Sequence, residues 1–196
     1  MPNIGRLVIS EKSLVAVLAQ MQSFETSMLT VLRHLLAILL LPFLVVVGVP
    51  FWLLYTFAAS DTRWGDSSSI AWASRPVGAV VVILGLALFS WCVSLFAQVG
   101  HGTLAPWDPT RNLVALGPYR FVRNPMISGV ALMLLGQALV WGSGAVGIWA
   151  CFFVGINHVY FVLLEEPGLE ERLGENYTIY KANVPRWIPR LRPWLG

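Results

Sequence analysis

The sequence predicts an all-α, polytopic membrane helix bundle. It comprises about four transmembrane spans, an N-terminal amphipathic helix and a short C-terminal cytoplasmic helix. Three observations lead there. Hydrophobic residues make up 57% of the 196-residue chain and charged residues only 12%, whereas a soluble domain carries about twice that charge. The apolar residues gather in long runs separated by short polar segments, which is the pattern of membrane spans. The basic residues are rich and poor in alternate polar segments, in step with those runs, as the positive-inside rule requires.

Residues 1–34 form the first region. Leu14, Leu18, Met21, Phe24, Met28 and Leu32 recur at helical spacing within 11–33. The segment reads as an amphipathic helix lying on the membrane surface, or as a helical extension packed on the bundle. The first long apolar run starts near His34, too late and too long for the apolar region of a cleaved signal peptide.

Residues 35–99 hold the first two spans. The first is roughly 35–58, with kinks expected at Pro42 and Pro50, since each proline removes a backbone donor. The second is roughly 77–99. Residues 100–196 form the third region, whose hairpin runs 126–141, turns at Gly142-Ser143-Gly144, and returns over 145–164. A bilayer core needs about 20 residues of helix, so the first arm of this hairpin is short and either starts deeper in the bilayer or thins it locally.

With four spans, eleven Lys and Arg residues fall on one side of the membrane and two, Arg63 and Arg75, on the other. Both termini, the 100–125 loop and the C-terminal segment are then cytoplasmic. No basic run resembles a nucleic-acid patch. Cys92 and Cys151 both lie in apolar runs, so a disulfide framework is not expected. His34, His101 and His158 lack metal-ligand spacing, so no metal site is expected.

Two polar segments border the hairpin. GPYRFVRNP at 117–125 has a Gly-Pro turn, a helical turn, and a second break at Asn124-Pro125. Arg120 and Arg123 share a face of that turn and suit a carboxylate or phosphate; the plainer reading is that they anchor to lipid headgroups. Glu165 and Glu166 close the fourth span. Negative charge is disfavoured at the end of an apolar helix, so cations or a ligand must offset it; the plainer reading is a solvated helix end. The hairpin returns them to the membrane face of Arg123. His158, seven residues before Glu165, is placed on nearly the same helix face as that acid. Glu171, Glu175 and Lys181 read as surface residues. Tyr177 and Tyr180 read as a lid or as interfacial aromatics. Gln137, Asn157 and Gln98 are polar residues within spans, and inter-helix hydrogen bonding is the expectation for Gln137. Pro185, Pro189 and Pro193 predict an extended tail.

The ordered combination LVALGPYRFVRNPMISG, a helical hairpin, and EEPGLEERLGENYTIYKANVPRWIP resembles the isoprenylcysteine carboxyl methyltransferase and phospholipid methyltransferase superfamily of integral membrane enzymes. The resemblance covers roughly residues 100–190. It implies S-adenosylmethionine as cofactor, with no Rossmann domain, and no GxGxxG fingerprint follows a strand here. It implies cofactor contacts from Gly117, Pro118, Tyr119, Arg123, Asn124, Pro125 and Gly129, with Glu165 and Glu166 across the hairpin. His101 and Gly102 match a weaker preceding element. Two departures bear on substrate: Asn124 stands where His is commoner, and Ile127 where Tyr often follows.

The resemblance thus implies methyl transfer to a membrane-embedded lipophilic acceptor, by isoprenylcysteine carboxyl O-methylation or phospholipid N-methylation. Arg123, Glu165, Glu166 and His158 are the catalytic candidates. Glu165, Glu166 or His158 could serve as a base for an amine or thiol acceptor. The alternatives are a non-catalytic membrane protein that keeps the scaffold and binds lipid or a partner, and a small transporter or channel subunit.

Overall fold

The computed structural model describes residues 40, 42–57, 69–99, 113 and 115–196. The expected amphipathic helix at 11–33 and the His101-Gly102 element lie outside these residues. The chain divides into two compact units, Met1–Leu40 and Leu41–Gly196, and everything below concerns the second.

A π-helical stretch, Leu44–Gly48, leads into α1 (Val49–Thr56). Pro50 does not break the helix but sits at the start of α1, two residues past the end of the π stretch. The wider coil and the missing proline N–H together take helical donors from the carbonyls of Val45 and Val46. Side chains of the neighbouring helices fill the gap. Gln137 Nε2 donates to the Val46 oxygen at 2.9 Å, and Trp149 Nε1 donates to the Val45 oxygen at 3.1 Å. Gln137 thus makes the inter-helix bond expected of it.

The next helix, α2 (Ser69–Val99), is longer than the expected second span and runs straight through Pro76. Its buried stripe is Ala71, Gly78, Gly85 and Cys92, at intervals of seven residues. Opposite it, α3 (Pro125–Trp141) presents Gly129 and Gly136 at the same interval. A Cβ on Gly85 would stand 2.6 Å from the Gly129 oxygen, and one on Gly136 would stand 2.7 Å from the Gly78 oxygen. The two helices therefore meet backbone to backbone. Lipid gives no hydrophobic drive for helix association, so close approach through small residues is how such helices gain contact energy.

Gly142 ends α3 in the left-handed conformation, φ 64°, which glycine adopts without steric cost. Ser143 then caps α4 (Gly144–Tyr160), its side chain accepting from the Val146 N–H at 3.2 Å. A second π-helical stretch, Phe161–Glu165, carries α4 without a stop into α5 (Glu166–Leu173). Pro167 follows this stretch at the same distance that Pro50 follows the first. Gly174, at φ 57°, separates α5 from α6 (Glu175–Asn183). The sequence placed the end of the fourth span at 164 and one short helix beyond it. The structure has one continuous rod to Leu173 and a second helix.

The tail from Val184 is extended, as its prolines predict. It runs beside the 117–123 segment. Arg123 N donates to the Pro185 oxygen at 2.9 Å, Arg190 N to Phe121 O at 3.0 Å, and Trp194 N to Arg120 O at 3.0 Å.

Among the described residues two helical stretches, Ser69–Leu95 and Gly144–Leu173, are long and apolar enough to cross a membrane, and Leu44–Thr56 and Pro125–Trp141 are shorter apolar helices. Their outward faces are apolar: Phe51 is 71% exposed, Trp72 80% and Ile148 73%. So much exposed apolar surface needs a cover of lipid.

Candidate active site

The site forms where the 117–125 segment, the α4–α5 rod and the tail converge. Gly117, at φ 53°, opens a 3₁₀ turn over Gly117–Arg120. Its Cα faces Leu95 and Trp91 of α2, and an added Cβ would lie 2.9 Å from Leu95 Cδ1. The Tyr119 ring is buried with Cys92, against Leu88, Leu95 and Met126. Burial, and then the neighbouring Cys92, hold the Tyr119 hydroxyl well above the usual tyrosine pKa, so it stays protonated. Pro125 starts α3. Gly129 faces α2, as described above. Gly117, Pro118, Tyr119, Pro125 and Gly129 thus build the turn and the helix contact, while Arg123 and Asn124 supply its polar groups.

Glu166 is the electrostatic centre, 5% exposed. Its Oε1 accepts from Arg123 Nη1 at 2.8 Å and from Arg186 Nε at 2.8 Å, with Arg186 Nη2 at 2.7 Å. Its Oε2 lies 3.2 Å from Lys181 Nζ, which also donates to Glu170 at 2.7 Å. These two hydrogen bonds, the one to Glu170 first, raise the Lys181 pKa above the ordinary lysine value. Lys181 is therefore a member of the cluster and not the free surface residue the sequence suggests. A buried carboxylate needs such partners, since desolvation of an unpaired charge costs several kcal/mol.

Glu165 has no salt-bridge partner among the described residues. The π stretch explains the difference. It inserts one residue into the helical register, so eight residues from His158, not seven, return to the same face. His158 therefore shares its face with Glu166, and the expected pairing with Glu165 is shifted by one. Arg186 makes this visible: its guanidinium bonds Glu166 and its Nη1 lies 3.5 Å from His158 Nδ1. Trp187 Nε1 donates to the same His158 nitrogen at 3.0 Å.

Two buried donors lack partners among the described residues: Arg123 Nε and Asn124 Nδ2. Buried donors ordinarily find acceptors, so this pair marks a place for one. Tyr177 and Tyr180 are buried, 4% and 3% exposed. The Arg123 guanidinium neighbours Tyr177, and the Tyr180 hydroxyl donates to the Tyr119 backbone oxygen at 2.8 Å. Both rings pin α6 onto the 117–123 turn, with Leu113, Ala115, Leu169 and Trp194 packed around them. Among the described residues no group of His, Cys, Asp or Glu could hold a metal ion.

The sequence profile described as phospholipid methyltransferase matches residues 74–176, just over half of the chain. The chain belongs to the phospholipid methyltransferase family. It is thereby a member of the integral membrane methyltransferase superfamily, in keeping with two helices long and apolar enough to cross a membrane. A phosphatidylethanolamine N-methyltransferase of Zygosaccharomyces rouxii is 28% identical over 102 residues. That alignment takes in 48% of this chain and 11% of the relative, so the chain corresponds to a small part of that protein's length. No solved structure matches.

The family match contains Arg123, Asn124, His158, Glu165 and Glu166, and it stops before Tyr177. Lys181, Arg186 and Trp187, which complete the cluster around Glu166 and His158, come from beyond it. Sequence reasoning missed Arg186 and Trp187. Their only local signal is a basic and an aromatic residue held between Pro185 and Pro189, where the chain is stiff.

Proposed function

We propose that the chain transfers a methyl group from S-adenosylmethionine to the amine headgroup of a membrane phospholipid. The observation that carries this reading is the pair of buried, unpartnered donors, Arg123 Nε and Asn124 Nδ2, inside the family's motif. They fit the cofactor's carboxylate, which accepts from two such groups at once. When bound, S-adenosylmethionine supplies a methyl group on a sulfonium, and an amine lone pair displaces it in line, leaving a thioether.

The residues around it then have separate tasks. Glu166 holds the Arg123 guanidinium in one orientation, with Arg186 and Lys181 neutralising its own charge. An amine headgroup arrives protonated and must lose that proton before it can attack. Glu165, which has no salt bridge among the described residues, is the carboxylate available to take it. Much of the remaining work is alignment and exclusion of water. The finer topology belongs to the same reading. Four spans, with both termini and the site on the cytoplasmic side, follow from the eleven-to-two distribution of basic residues. The soluble cofactor enters from the cytoplasm and the lipid enters sideways from the bilayer.

The test is calorimetric titration of detergent-purified protein with S-adenosylmethionine, followed by transfer of labelled methyl to phosphatidylethanolamine. Asn124→Ala removes a donor that has no partner among the described residues. It is expected to fold normally and to weaken cofactor binding about tenfold, the worth of one hydrogen bond to a charged group. Unchanged affinity in Asn124→Ala would remove the carboxylate assignment, and no binding by folded wild type would remove the function.

A further inference from the structure

His158 is exposed, yet one of its ring nitrogens is tightly engaged. Among the described residues the two groups that face Nδ1 are donors and nothing else: the Trp187 indole N–H at 3.0 Å and the Arg186 guanidinium at 3.5 Å. Nδ1 must therefore accept, and the proton of the neutral ring sits on Nε2. What His158 offers outward is an N–H. It is not placed to remove a proton from an amine. A base would need a bare outward nitrogen, and the tail has used the bare one.

We propose that His158, with Arg186 and Trp187 holding it, is the subsite for the phosphate of the acceptor phospholipid. This rests on the reading above, that the acceptor is a phospholipid amine. Three features agree. The first is order. Arg186 touches Glu166 with one edge and His158 with the other, so the two sites lie on opposite sides of one guanidinium. His158 is on the membrane side, since it precedes Glu166 along the rod that runs out of the bilayer. In a phospholipid the amine lies two carbons beyond the phosphate, on its aqueous side. A phosphate held at His158 therefore directs the amine along the rod toward its Glu165–Glu166 end.

The second feature is charge. Arg123, Lys181 and Arg186 surround Glu166, with Glu170 behind Lys181. The Arg186 guanidinium lies at the membrane edge of this cluster, 3.5 Å from His158 Nδ1, and favours an anion beside it. The third is the surroundings. Trp187 stacks near both His158 and Phe161, with ring centroids 6.3 Å apart in each case. Val162 and Leu163 on the same rod are exposed. The donor is thus set among apolar groups that suit the glycerol and acyl end of a lipid.

The experiment uses the full chain in detergent micelles and two amine acceptors, phosphatidylethanolamine and the phosphate-free sphingosine. His158→Phe is expected to raise KM for phosphatidylethanolamine about tenfold with little change in kcat. The preference for phosphatidylethanolamine over sphingosine falls by the same factor. His158→Gln places an amide N–H where Nε2–H was and is expected to restore most of that preference. An equal fall in kcat for both acceptors would make His158 a base and overturn the subsite, as would an unchanged preference.

A second readout needs no catalysis: retention of phosphatidylethanolamine by purified protein in native mass spectrometry. Weaker retention in His158→Phe supports the subsite even if wild type methylates neither acceptor, in which case only the functional reading has failed. Displacement of the lipid by millimolar inorganic phosphate would overturn the lipid assignment.

Discussion

Glu165 and Glu166 are adjacent in sequence and differ in their ion pairing. Glu166 meets Arg123, Arg186 and Lys181 within 3.2 Å, while Glu165 meets none of them. Glu166→Ala leaves three cations around an empty space. Breaking a buried ion pair from one side costs about 3–5 kcal/mol, and we expect a large fall in thermal midpoint measured by fluorescence in detergent. Glu165→Gln keeps the shape and removes the base. We expect it to fold and bind cofactor like wild type while kcat falls roughly 10²–10⁴-fold; a normal rate would move the base elsewhere. The acids and their place beside Arg123 were legible in the sequence; Arg120, expected to share that face, instead donates to the Ala115 backbone oxygen at 3.4 Å. Which acid is the structural one was not legible, because one residue of π-helix turns the whole face.

At the scale of elements, the α2–α3 contact has a sharp asymmetry. Gly85→Val forces a Cβ to within 2.6 Å of the Gly129 oxygen. Overpacking of this kind costs about 1–3 kcal/mol, and the backbone leaves no flexible side chain to yield. Gly155 has open space where a Cβ would go, so Gly155→Ala is expected to be neutral or to stabilise by up to about 1 kcal/mol. The π stretch before Pro50 makes a second prediction. Gln137→Leu strands the Val46 carbonyl and should cost roughly 0.6–2 kcal/mol. In a Pro50→Ala background a backbone N–H returns, and the same substitution should cost less. A double-mutant cycle measures the difference, and additive effects would mean that Gln137 acts elsewhere. The helical segments themselves follow from apolar runs and turn residues. The partners of Val45 and Val46 do not, because Gln137 and Trp149 lie about 90 and 100 residues away in the chain.

At the scale of the whole molecule, the hairpin is expected to cross the bilayer once in each direction. Cysteines introduced at Gly144 and Gly196, in a Cys151→Ser background, should react with an impermeant maleimide from opposite sides of sealed vesicles. Reaction of both from one side would mean that the α3–α4 hairpin does not cross. The tail is the other global element. Removing residues 185–196 deletes Arg186, Trp187 and three backbone hydrogen bonds to the 120–123 turn. We expect a protein that still inserts but binds S-adenosylmethionine at least tenfold more weakly, because the Arg123 turn loses the extended segment that holds it.

The sequence by itself determined the solvent, the class of helices, the hairpin and the identity of the polar groups at its open end. These depend on composition and on contacts between near neighbours, which run length, turn residues and charge counts record directly. Tertiary structure alone decided that Glu166 and not Glu165 is buried among cations. It also decided that His158 presents an N–H outward, and that Lys181, Arg186 and Trp187 belong to the site. Those outcomes depend on a register shift of one residue within a continuous helix and on a tail folding back across some sixty residues of chain. Neither leaves a periodic signature, since a π stretch has no distinctive composition and an extended tail has no repeat that names its partner.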